Sequence, residues 1–162
     1  MDMPAVYLWE FAPSPHLGNI LEGMARRGLL AQYIVRSSAY ESRRSQGWHE
    51  PDLNGVRIQQ VSGRYEIRDV IARSRFNDVH IIAGLRGNEF ARSVAKSLRR
   101  AGRMFWVFLE TVDESKWWSP LKRPIYRIQF ARNGPWLEGI LAAGATTPSW
   151  IVARGVPHKK VF

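Results

Sequence analysis

Residues 79–109 read VHIIAGLRGNEFARSVAKSLRRAGRMFWVFL, two short apolar runs separated by one amphipathic stretch. Val79-His80-Ile81-Ile82-Ala83, closed by Gly84, has the length and composition of a strand buried on both faces. Asn88 can cap a helix in which Ala91, Val94, Ala95 and Leu98 share one face and Arg92, Lys96, Arg99 and Arg100 line the other. Gly102 ends that helix. Met104 to Leu109 is then the most apolar run in the chain, which predicts a central strand. Strand, helix and second buried strand in this order predict parallel neighbours, because parallel strands need a crossover between them.

The same alternation extends in both directions. Upstream, Ala5 to Phe11 reads as a buried strand and Pro13-Ser14-Pro15 as a tight loop. Leu17, Ile20, Leu21, Met24 and Ala25 then share a helical face that Gly28 stops. Gln32 to Val35 predicts a second strand, 37–54 a long polar loop, Val56 to Val61 a strand with one polar face, and Tyr65 to Arg75 a helix. Downstream, the sequence predicts a helix from Leu121 to Ala131, a strand at Ile140 to Ala143, a helical turn after Pro148 and the start of another strand at Lys159 to Phe162. The expectation is one α/β domain over residues 1–162: a Rossmann-like, open and mostly parallel sheet with helices on both faces.

Composition narrows the function classes. The chain has 162 residues, no cysteine, and a net charge of +10 from 24 basic and 14 acidic residues. Without cysteine, disulfide frameworks, thiolate metal sites and cysteine nucleophiles are excluded. His16, His49, His80 and His158 are too scattered for a metal-binding spacing, so no metal is expected. No apolar run reaches the length of a spanning helix and the N-terminus lacks signal-peptide features, which predicts a cytoplasmic protein. The charge favours phosphate-bearing partners: nucleic acid, anionic lipid or phosphorylated sugar carriers. A standalone basic module that binds nucleic acid is the alternative reading, but no aromatic-and-basic recognition pattern supports it. GxSxG, GxxxxGK[ST] and GxGxxG are all absent, which excludes the hydrolase, P-loop and dinucleotide fingerprints.

In open α/β sheets ligands gather at the carboxyl ends of strands, so the loops there supply the candidate residues. His16 and Gly18 follow the first strand at a helix start, where backbone donors can face an anion. Gly84 and Arg86 follow the strand at 79–83, and the arginine can fork onto a phosphate or carboxylate. Glu110, with Asp113 and Glu114 behind it, stands where a carboxylate would orient or deprotonate an acceptor hydroxyl. Trp117 and Trp118, beside Lys122, Arg123 and Arg127 and with Leu121, Ile125 and Ile128 at helical spacing, form a candidate surface for a membrane or acceptor. Core packing is the competing explanation of those apolar positions.

Four places together resemble the N-terminal domain of GT-B glycosyltransferases, in the group of retaining enzymes that build bacterial surface polysaccharides. Ser14 to Gly18 with the helix ending Met24-Ala25-Arg26-Arg27-Gly28 is similar to the family's first loop and helix. Val79 to Gly84 and Phe108-Leu109-Glu110 are similar to two of its strand exits. Ile140 to Gly144, through Arg154-Gly155-Val156-Pro157 to Lys160-Val161, is similar to the last unit before the interdomain linker. The resemblance implies transfer of a sugar from a nucleotide-sugar donor to a saccharide or lipid-linked acceptor, at the cleft between two domains; the basic aromatic segment at 117–127 would let such a cytoplasmic protein sit at the inner face of a membrane. It implies a C-terminal domain outside this chain that holds the donor, so this domain would bind no cofactor and be nearly inactive alone. It places Gly18 near the donor phosphates and His16, Arg86 and Glu110 on the acceptor side. Many relatives carry histidine where Glu110 stands, which departs from the family pattern.

Overall fold

A computed structural model describes residues 3–37, 45, 47, 53–85, 89–110 and 122–162. The expectations for Arg86, Asn88, Asp113, Glu114, Trp117, Trp118, Leu121 and most of the 37–54 loop fall outside these residues. Six described strands form one sheet: β1 (Val6–Glu10), β2 (Ala31–Val35), β3 (Val56–Gln60), β4 (Val79–Ala83), β5 (Phe105–Leu109) and β6 (Leu137–Ala142). Their order is β3-β2-β1-β4-β5-β6 and every pairing is parallel. The helices are α1 (Pro15–Arg26), α2 (Arg64–Arg73), α3 (Glu89–Arg100), α4 (Lys122–Asn133) and α5 (Thr147–Val152). This is the Rossmann-like α/β fold.

The core has two layers. On one face α2 to α5 bury Ile67, Val70, Val94, Leu98, Tyr126, Phe130 and Ile151 against the sheet; on the other, α1 buries Leu17 and Leu21. The apolar 104–109 run does not occupy the centre: β1 and β4 do, and β5 lies one strand from the β6 edge. Trp106 and Phe108 are only half-buried there, so apolar composition overstated how central the strand is. The first helix starts earlier than the prolines suggested. Ser14 is its N-cap, with Oγ accepting from Leu17 N, and Pro15 takes the first turn, where a missing N–H costs nothing. Beyond a 3-10 turn at His158–Lys160, Val161 pairs in parallel with Ile140, the extra strand start expected at 159–162.

Two buried polar assemblies tie the central strands to α2. Trp9 Nε1 donates to His80 Nδ1 at 3.2 Å, so the proton of the neutral imidazole sits on Nε2, 3.1 Å from Ser74 Oγ. Ser74 passes its own hydroxyl to Ile71 O at 2.7 Å, so the donors run in one direction from β1 through β4 to α2. At the opposite strand ends, the buried Asp78 carboxylate accepts from Ala5 N at 2.9 Å and from Arg75 N at 2.7 Å.

Gly139 is required by a neighbour rather than by its backbone. A Cβ built there meets the Trp106 ring at Cζ3, at 2.7 Å from Cε3 and at 2.8 Å from Cη2. Trp106 is held in place by donation to Glu138 Oε2 at 3.1 Å and by Phe162, with ring centroids 5.3 Å apart. Gly139→Ala therefore lowers stability by about 1–3 kcal/mol, the usual cost of overpacking. Thermal melting checks this, and Trp106→Leu in the same chain restores part of the loss.

Candidate functional site

The strand order reverses direction between β1 and β4, and their carboxyl ends form the crevice where ligands of open α/β sheets bind. Glu10 closes β1 at this rim. Its Oε2 accepts from Ser14 Oγ at 3.2 Å and from the hydroxyl of Tyr33, which itself accepts from Ser14 N at 2.9 Å. Burial first, and then the Glu10 carboxylate, push the Tyr33 hydroxyl well above its ordinary pKa, so it stays protonated and donates. This clamp anchors the N-cap of α1 and so fixes the first turn that carries His16 and Gly18. Sequence reasoning passed over it because Glu10 and Tyr33 meet only once β1 and β2 pair.

His16 is exposed in that first turn, at the mouth of the crevice. Gly18 is buried, and its N–H already donates to Ser14 O at 2.9 Å, so it contributes close packing rather than an open backbone donor. Gly84 turns the chain out of β4 with φ +78°, a conformation that favours glycine, and its N–H donates to Phe108 O at 2.8 Å. Glu110 is exposed immediately after β5. Glu10, Gly84 and Glu110 thus end three adjacent strands, and at strand spacing the outer two lie about 10 Å apart at the backbone.

A cavity of about 280 Å³ opens beside this row, between β1, β2 and the starts of α2 and α3. Phe11 forms its apolar wall, Arg36 and Arg64 bring cations, and Glu89 and Ser93 bring acceptors. Arg64 Nη2 lies 3.3 Å from Glu89 Oε1, an exposed pair. Phe11, Arg36 and Arg64 are rim residues that periodicity missed. Their signal was positional: each follows a strand within a few residues.

Away from the rim, α4 buries Tyr126, Phe130 and Asn133. Ile125 and Ile128 therefore face outward, with Ile128 65% exposed, beside Arg123 and Arg127. Core packing does not account for these two isoleucines. Lys122, the first residue of α4, is half-buried. Among the described residues no group of three His, Cys, Asp or Glu side chains is placed to hold a metal ion, and no helix is long and apolar enough to cross a membrane.

The same fold occurs in Anabaena Alr3699/HepE. That protein's structure was solved in complex with UDP and glucose, and the match covers 99% of this chain with a TM-score of 0.61. Only 11% of residues are identical, so the likeness shows the fold alone. This chain spans 44% of the length of that one. No family model and no curated protein matches the sequence.

Proposed function

We infer that this chain is the acceptor-side half of a glycosyltransferase, which moves a sugar from a nucleotide-sugar donor to a saccharide or lipid-linked acceptor. The observation that carries this reading is the whole-chain likeness to less than half of a protein solved with UDP and glucose. The GT-B resemblance of residues 14–28, 79–84, 108–110 and 140–161 supports it from the sequence side. The acceptor lies along the strand exits, with His16 and Gly84 on one side and Glu110 placed to orient the attacking hydroxyl; Arg86, outside the described residues, is carried as an acceptor-side candidate on the sequence resemblance alone. A second Rossmann-like domain supplies the donor site, and this half holds no cofactor of its own. UDP-glucose incubated with residues 1–162 and a glucan gives no transfer; turnover by this chain alone overturns the half-enzyme reading.

The crevice makes a local prediction. Arg36→Ala weakens saccharide binding about tenfold, as expected when one hydrogen bond to a charged group is lost. Calorimetric titration with a glucose-terminated oligosaccharide measures it, and an unchanged affinity removes Arg36 from the site.

We also infer that α4 rests on an anionic membrane surface and presents the rim to a lipid-linked acceptor. Arg123 and Arg127 alternate with outward Ile125 and Ile128, the pattern of an interfacial helix. Each cation near such a surface contributes about 1 kcal/mol, so Arg123→Gln with Arg127→Gln lowers partitioning about 30-fold. Sedimentation with phosphatidylglycerol vesicles reads this, and equal partitioning of both proteins contradicts it.

A further inference from the structure

The outer layer of helices carries a second polar site, away from the strand exits. Between α3 and α4 lies a groove of about 210 Å³ lined by Arg92, Lys96, Arg99, Arg132 and Gln129. Among the described residues Arg92, Lys96 and Arg132 have no carboxylate partner. Arg99 is held in the groove by donation to Asn133 Oδ1 at 3.2 Å and to Arg132 O at 3.4 Å. Asn133 in turn donates to Gln129 O at 2.8 Å, which fixes the local geometry. Burial, and then the neighbouring Arg132, lower the proton affinity of Arg99. Gln129 Oε1 is buried and has no hydrogen-bond partner. A buried acceptor without a donor is costly, so turning this amide toward the groove that Gln129 lines, where a ligand can donate to it, relieves that cost.

We propose that this groove binds a phosphorylated saccharide, with its phosphate against Arg92, Lys96, Arg99 and Arg132 and one hydroxyl donating to Gln129 Oε1 once that amide turns into the groove. A phosphate monoester carries nearly two negative charges and several acceptor oxygens, which match forked guanidinium donors. An inorganic anion alone satisfies the cations and leaves Gln129 Oε1 unserved. A lipid diester carries a single charge and does not match four cations as well. The site is independent of the acceptor crevice and stands or falls separately from it.

The test is calorimetric titration of the full chain with glucose 6-phosphate and, separately, inorganic phosphate. Glucose 6-phosphate saturates, and Arg92→Gln with Arg132→Gln weakens it at least tenfold. Arg57→Gln with Lys159→Gln, the same charge change at exposed positions elsewhere, leaves it within twofold. Gln129→Met weakens glucose 6-phosphate about fivefold, as one lost hydrogen bond should, and leaves inorganic phosphate unchanged. Failure of glucose 6-phosphate to saturate overturns the proposal. Equal losses in the two double variants do so as well, because they reveal diffuse attraction. Binding to phosphatidylglycerol vesicles that requires Arg92 and Arg132, with no saturation by glucose 6-phosphate, assigns the groove to a lipid surface instead and also overturns it.

Discussion

Trp9→Ala lowers the unfolding free energy by about 3–5 kcal/mol, the cost of removing a large aromatic side chain from a close-packed core. Trp9 is 1% exposed in a central strand and packs beside His80 and Phe90, with ring centroids 6.0 Å and 6.4 Å away. Its indole N–H also serves His80 Nδ1, so truncation opens a cavity and strands an acceptor together. Trp9→Phe separates the two contributions. It keeps most of the volume and loses only the donor, so its cost is about 1–3 kcal/mol. Urea unfolding checks both, with the midpoint moving and the slope unchanged. A loss below 1 kcal/mol for the alanine variant contradicts the packing described.

The second large effect is acid lability. His80 is 1% exposed, and burial, followed by the charge of Arg103, pulls its pKa from 6.5 to about 4, while Asp78 opposes the shift. The unfolded chain therefore binds a proton between these pH values that the folded chain refuses. Because the folded pKa lies below the unfolded one, stability is fully present above pH 6.5. It falls as pH drops from 6.5 toward 4 and levels off below that. The total loss from this group is about 3 kcal/mol. Unfolding free energies measured from pH 7 to pH 4 follow that decline, and His80→Gln removes this component whatever its own stability at pH 7. A wild-type profile that is flat across the interval contradicts a neutral, buried His80.

These two residues also show where sequence reading works. Val79 to Ala83 was legible to the residue, because a short apolar run between turn signals has few other destinations. The helix face of Ala91, Val94, Ala95 and Leu98 was equally plain, since its polar face is continuous. Strand position was not legible. The run at 104–109 is more apolar than β1, yet β1 lies at the centre, because buried polar tips such as Trp9 Nε1 and His80 satisfy one another inside the sheet. The orientation of α4 was hidden for a related reason. Ile125, Tyr126, Ile128 and Phe130 cover too much of the helix for periodicity to select a face, and packing against Trp150 selects Tyr126.

Where the candidate residues stand in the fold was legible in outline, and what holds them there was not. His16, Gly84 and Glu110 stand at strand exits, as a parallel sheet requires of residues following its strands. The Glu10, Tyr33 and Ser14 clamp is made across β1 and β2, and Arg36 and Arg64 meet at a cavity between elements far apart in the chain. Non-local meetings of this kind leave no local pattern. The α3 and α4 groove is similar: its arginines read as an ordinary solvated helix face until a second helix is placed beside them.

The central claim is that the strand exits of this chain hold a saccharide acceptor. Backbone amide NMR of the full chain, titrated with a glucose-terminated oligosaccharide, tests it most directly. The account predicts saturable shifts at Phe11, Ser14, Arg36, Gly63, Gly84 and Glu110, with the β3 edge and the amino ends of the strands unmoved. Saturable shifts confined to other surfaces, or none at the strand exits, would contradict it.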